Sequence, residues 1–158
     1  MRDGFIRTAA ATPKIKVADP VHNREAICRI IEEYEKKGAE LLVFPELCLS
    51  GYTCNDLFQQ EILLEQVKEE LKNLVDFTRG RKMLLFAGLP WEHEGKLYNV
   101  AAAICDGELL GLVTKTNMPN YSEFYELRHF NPGPVKPDVV EWGERLIPFG
   151  SKILFRCT

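Results

Sequence analysis

No stretch of this sequence approaches the roughly 20 consecutive apolar residues that a membrane helix requires. The opening residues, MRDGFIRTAAATPKIK, hold no apolar run of signal-peptide length. A cytoplasmic location is therefore expected, with no membrane partner. Histidine is scarce: His22, His93 and His129 lie far apart and no two share an i, i+4 helical face, so a metal site has no ligand spacing to support it. Five cysteines are present, Cys28, Cys48, Cys54, Cys105 and Cys157, but the number is odd, the spacing irregular and C-x-x-C absent. That pattern argues against a disulfide framework. An excess of one charge is lacking too, with 20 Lys and Arg against 23 Asp and Glu, a net charge of -3, scattered along the chain. Such a balance disfavours a nucleic-acid partner.

What is present is an ordinary soluble composition, 46% hydrophobic and 27% charged, in 158 residues. That is enough for one domain or a piece of one. Residues 5–11 read as a strand. Ile27, Ile30, Ile31 and Tyr34 recur at helical spacing over residues 23–37, with Gly38 as a stop. Residues 41–44 form a short apolar run of the kind buried on both sheet faces, ended by Pro45. Residues 56–79 carry a 3.6-residue apolar period over one long helix or two shorter ones. Residues 82–89 return to a strand, and 97–105 and 108–114 are joined by Asp106-Gly107, a strong hairpin signal. After a polar, aromatic, proline-bearing loop, strands are expected at 139–142, 145–148 and 152–157. Strand-helix alternation giving way to hairpins points to helices layered on a mixed sheet, an α/β sandwich without internal repeats. An apolar strand at the very end would leave an unpaired edge, so a truncated domain is the expectation.

Two positions invite chemistry. Glu46 follows a buried apolar run directly, where partial desolvation raises a carboxyl pKa and suits a general base. The plainer reading is a turn cap or a surface ion pair. Lys115 ends a strand and opens a loop in which Tyr121, Phe124, Tyr125 and Phe130 alternate with Glu123, Glu126 and Arg128. That mixture can line a pocket that is apolar in bulk and polar at chosen points, although a lysine at a strand end is usually just solvated.

The two segments together resemble the nitrilase superfamily, the carbon-nitrogen hydrolases. Val43-Phe44-Pro45-Glu46 followed by Ser50-Gly51-Tyr52 is similar to the motif that supplies the family's glutamate, and Gly111-Leu112-Val113-Thr114-Lys115 to the one that supplies its lysine. The run from Met118 to Phe130 is similar to a loop of one branch, the glutaminase domains of glutamine-dependent NAD synthetases. The resemblance implies an α-β-β-α sandwich, of which residues 1–158 would be the N-terminal portion. It implies a Glu-Lys-Cys triad in which a thiolate attacks the amide carbon, Glu46 moves protons and Lys115 stabilises the oxyanion. By the same resemblance Tyr121 contacts the glutamine substrate, Glu123 is an additional glutamate that organises the site, and Tyr52 and Phe124 line the pocket. Each of these also has a bland reading as packing or loop anchoring.

None of the cysteines fits the nucleophile. Cys28 lies on the apolar side of the first helix, and Cys48 and Cys54 flank the glutamate's loop outside the family's nucleophile motif. Cys105 stands beside the hairpin turn while Lys115 ends the returning strand, on the order of 20 Å away. Cys157 is followed only by Thr158, where a family nucleophile is followed by an acidic residue and a helix. The nucleophile is therefore expected beyond Thr158. No Ser-Gly-Gly-x-Asp-Ser pyrophosphate loop occurs, so ATP and magnesium would belong to a separate synthetase domain, and this segment would carry no cofactor. The partners expected are L-glutamine, the synthetase domain of the same chain and further copies in a homo-oligomer. The alternatives are a free-standing nitrilase-type amidase and a non-catalytic interaction module.

Overall fold

Two parallel crossovers set the architecture. In the computed structural model, which describes residues 4–156, strand β1 (Thr8–Ala10) leads into helix α1 (Pro20–Lys36) and then into β2 (Leu41–Val43), which pairs parallel with β1. Helix α2 (Glu61–Phe77) then carries the chain to β3 (Leu84–His93), parallel to β2. Two right-handed crossovers that step the same way across a sheet place both helices on one face. Accordingly α1 packs against α2. The core they share with the sheet holds Ile27 and Ile31 of α1, Leu63, Val67, Leu71 and Leu74 of α2, and Leu42, Leu85 and Leu89 of the strands.

Helix α1 begins three residues earlier than its apolar period suggests. Pro20 occupies the first turn, where its missing N–H costs nothing, and the Asp19 side chain accepts the His22 N–H at 3.0 Å as an N-cap. The expected helix over 56–79 divides. Residues Tyr52–Gln59 form 3-10 turns broken at Thr53 and Asn55, Gln60 is extended, and α2 follows. Arg24 of α1 reaches Glu70 of α2 at 2.7 Å, and Asn73 donates to the other Glu70 oxygen at 3.1 Å. Because Glu70 is buried, Arg24→Leu leaves a carboxylate short of a partner and is expected to cost about 2 kcal/mol. An unchanged urea midpoint would contradict this.

The remaining strands are β4 (Lys96–Cys105), β5 (Glu108–Thr114), β6 (Asp138–Trp142) and β7 (Arg145–Gly150). They complete one mixed sheet in the order β1-β2-β3-β4-β5-β7-β6. Strand β3 runs on to His93, past the Leu89 at which its apolar run stops, and turns at Glu94-Gly95, both at positive φ, into a hairpin with β4. The strand expected at 152–157 is not formed over residues 152–156, and Cys157 lies outside the described residues. The reason is packing. β5 already pairs with β4 and β7, and Phe155 instead lays its ring edge-on against Phe86, 5.6 Å between centroids, on the sheet face away from the helices. Helix layer and sheet are thus two layers of the expected sandwich.

Candidate active site

Glu46 is delivered by a loop that needs a glycine beneath it. After β2 the chain makes one more ladder bond, Phe44 N–H to the Phe86 carbonyl at 2.9 Å, before Pro45 ends it. The chain then folds across β3, with Leu47 at φ 51° and the Leu49 N–H on the Gly88 carbonyl at 3.1 Å. A Cβ at Gly88 would collide with the Leu47 nitrogen and stand 2.7 Å from the Pro45 oxygen, so only glycine lets the loop settle there. Ser50 and Cys48 are buried in the same loop.

Lys115 is aimed by a β-bulge. From the Asp106-Gly107 turn the hairpin pairs Cys105 with Glu108 and Ile104 with Leu109, then Ala103 with Gly111, leaving Leu110 as the extra residue. The shift carries on to Val100 opposite Thr114, and the Lys115 N–H donates to the Asn99 carbonyl at 2.9 Å. Lys115 and Asn99 therefore share a sheet face. Without the bulge Asn99 would face Thr114, and the lysine would point to the other side.

The side chains converge at the rim of a cavity of about 330 Å³ lined by Val43, Glu46, Phe86, Asn99, Val113 and Lys115, among others. The Lys115 ammonium lies 2.6 Å from Glu46 Oε1, and 3.0 and 2.8 Å from Oε1 and Oε2 of Glu126. Asn99 Nδ2 also donates to Glu46 Oε1. Tyr52 donates its hydroxyl to Glu126 Oε1 at 2.9 Å. Burial acts to lower the Lys115 pKa, but hydrogen bonds to Glu126 and Glu46 outweigh it and the net shift is upward. The ammonium is thus held charged. Its contribution to stability is present below its ordinary value of 10.5 and is lost only as pH rises through the higher folded value.

Desolvation, then the bond to the Glu126 carboxylate, pushes Tyr52 up to about 12, although the residue as a whole is 38% exposed. In an alkaline titration followed by tyrosinate absorbance, the step missing from Tyr52→Phe is expected near pH 12. A missing step at the ordinary value near 10 would contradict the contact.

Of the expected residues, Glu46, Lys115 and Tyr52 are brought together. The Glu46 side chain is 38% exposed, more open than a position after a buried strand suggests. Glu123 is exposed and lines a separate groove of about 120 Å³ with Tyr52 and Glu126; the glutamate on Lys115 is Glu126, which is 6% exposed. The reason is local: Ser122 at φ 53° turns the loop, and helix α3 (Glu126–His129) carries Glu126 inward. Tyr121 is 67% exposed and meets Phe124 edge-on at 5.6 Å, and neither lines these two cavities. Asn99 is the site residue that sequence reasoning does not find, and Glu126, named only as one of several polar residues of a pocket-lining loop, is not picked out over Glu123. Neither type nor spacing singles them out, because the bulge and the loop turn decide where they point.

Among the described residues, no cysteine lines the cavity at Glu46 and Lys115. Burial pushes the Cys48 thiol up to about 12, and it donates to the Gly88 carbonyl at 3.6 Å. Cys28 and Cys54 are buried as well, both raised by burial, and Cys105 closes β4 beside the hairpin turn. Elsewhere His93, Glu94 and Asp138 bring one ligand atom each within 4.8 Å of one another at the β3–β4 turn. There His93 contacts Asp138 at 2.9 Å and holds its carboxyl below the usual range. Among the described residues no helix is long and apolar enough to cross a membrane.

A layered sheet carrying a glutamate and a lysine in contact defines a class, and the chain belongs to the carbon-nitrogen hydrolase family, whose model matches residues 7–153. Among its relatives, the glutamine-dependent NAD(+) synthetase of Mycobacterium tuberculosis is 37% identical over 152 residues, 96% of this chain and 22% of that protein. The chain thus spans about a fifth of the length of such relatives. A crystal structure of the glutamine-dependent NAD(+) synthetase from Cytophaga hutchinsonii superposes with a TM-score of 0.90 at 27% identity, covering 97% of this chain and 26% of that one. An amidase from Nesterenkonia sp. matches with a TM-score of 0.70 at 26% identity, over 94% of this chain and 56% of that one.

Proposed function

We propose that this chain is the N-terminal part of the glutaminase domain of a glutamine-dependent NAD synthetase. The observation that carries the reading is the Glu46–Lys115 contact at 2.6 Å on the rim of a cavity, in a fold shared with such synthetases. In the reaction a cysteine supplied from beyond Thr158 attacks the amide carbon of glutamine. Glu46 accepts the thiol proton and returns it to the departing nitrogen, while the Lys115 ammonium stabilises the oxyanion. The C–N bond breaks, ammonia leaves, and water then cleaves the thioester to give glutamate. Tyr52 and Glu126 hold the lysine's surroundings, and Tyr121, Glu123 and Phe124 remain candidate glutamine contacts on the adjoining loop.

In the full-length polypeptide of this reading, ammonia passes to a synthetase domain that binds ATP and magnesium and amidates a deamido dinucleotide. A cytoplasmic homo-oligomer belongs to the same reading. The amidase from Nesterenkonia sp. AN1 has an active site cysteine to which acrylamide adds in a mutant form. A free-standing amidase is the second reading, supported by that structural match.

The test compares the chain alone with the full-length polypeptide. The chain alone is expected to release no ammonia from glutamine above a Cys157→Ala control, and the full-length protein to release it readily. Glutamine hydrolysis by the isolated chain contradicts the division of the site, and preference for another small amide favours the amidase.

A further inference from the structure

We propose that Asn99 is a positioning residue for the general base: its side-chain amide fixes Oε1 of Glu46 and so reserves Oε2 as the oxygen that takes up and returns the proton. This rests on the glutaminase reading and adds to it a residue and an atom.

Asn99 is 3% exposed, on the central strand β4, directly across from Lys115. Its backbone carbonyl takes the Lys115 N–H at 2.9 Å and its Nδ2 donates to Glu46 Oε1. One buried residue thereby sets the spacing between the two catalytic side chains, although they come from separate elements 69 positions apart. Oε1 already accepts two donors, Asn99 Nδ2 and the Lys115 ammonium at 2.6 Å. Among the described residues none donates to Oε2. The oxygen already engaged by a cation and an amide is the less basic of the two, so an incoming proton goes to the other.

The residue type matters for the same reason. The Asn99 amide nitrogen donates and cannot accept, so it holds a carboxylate without competing for the proton that the carboxylate must move. An aspartate of the same shape would set a second negative charge against Glu46, and a leucine would leave the carboxylate free to rotate. An asparagine kept only to satisfy a buried strand position would tolerate either change kinetically once the protein had folded.

The test has a kinetic and a spectroscopic arm. In the full-length polypeptide, Asn99→Leu and Asn99→Asp are each expected to lower kcat for glutamine hydrolysis by ~100-fold, with KM within about threefold and synthesis from free ammonia within about twofold. In this chain, the side-chain amide signal of Asn99 in a nitrogen-15 NMR spectrum is expected to move on Glu46→Ala. Wild-type kcat in either folded variant, a change confined to KM, or an amide signal that ignores Glu46→Ala overturns the proposal. If the wild-type protein takes nitrogen only from free ammonia, the glutaminase reading itself falls, an outcome distinct from an active wild type matched by an equally active Asn99→Leu.

Discussion

Glu46→Gln and Lys115→Ala are each expected to reduce glutamine-driven synthesis by the full-length polypeptide by roughly 10³-fold, while synthesis from free ammonia stays within about twofold of wild type. The asymmetry follows from geometry. Glutamine keeps hydrogen-bonding capacity in place of Glu46 but cannot take a proton, so on the proposed mechanism the thiol is not activated and the leaving nitrogen is not protonated. Removing the Lys115 ammonium deletes the charge that, on the proposed mechanism, faces the developing oxyanion, and it also leaves Glu46 and the buried Glu126 without the cation that lies 2.6 and 2.8 Å from them. Lys115→Ala is therefore expected to lower stability as well, whereas Glu46→Gln changes rate with little change in melting temperature. On the proposed reading free ammonia bypasses the hydrolytic site, so equal losses with both nitrogen donors would mean that these residues serve the fold or the other reaction.

Gly88→Ala is expected to cost about 3 kcal/mol and to reduce glutamine hydrolysis at least as much as an altered base does. The added methyl would lie 2.7 Å from the Pro45 oxygen and 2.8 Å from the Glu46 carbonyl carbon, both backbone atoms, so no side chain can swing away to make room. Either the loop lifts from β3, taking Glu46 away from Lys115, or β3 shifts against the core beneath it. A urea midpoint and an Asn99 amide resonance both unchanged in Gly88→Ala would contradict the close approach.

Much of this is legible in the sequence because some residues constrain their surroundings strongly. Pro45 ends a buried strand wherever that strand lies, so Glu46 has to emerge at its end. Asp106-Gly107 enforces a tight hairpin, which places Lys115 at the end of the returning strand. What the hairpin signal does not convey is the bulge at Leu110, which flips the face of every later residue on β5 and puts Lys115 beside Asn99. Glu126 is hidden differently. The loop carries Glu123 and Glu126 three residues apart, and only the turn at Ser122 and the short helix α3 determine which one enters the site. At the other end, Ile153 and Phe155 alternate as a strand would, but alternation records only that one side is buried, and here that side rests on the sheet face over Gly111.

The most direct measurement is transfer of the amide nitrogen-15 of labelled glutamine into the carboxamide of the dinucleotide by the full-length polypeptide. Wild-type protein is predicted to transfer the label, and Lys115→Ala to transfer almost none while still incorporating nitrogen-15 from labelled ammonium. Wild-type transfer from glutamine by Lys115→Ala would contradict the account.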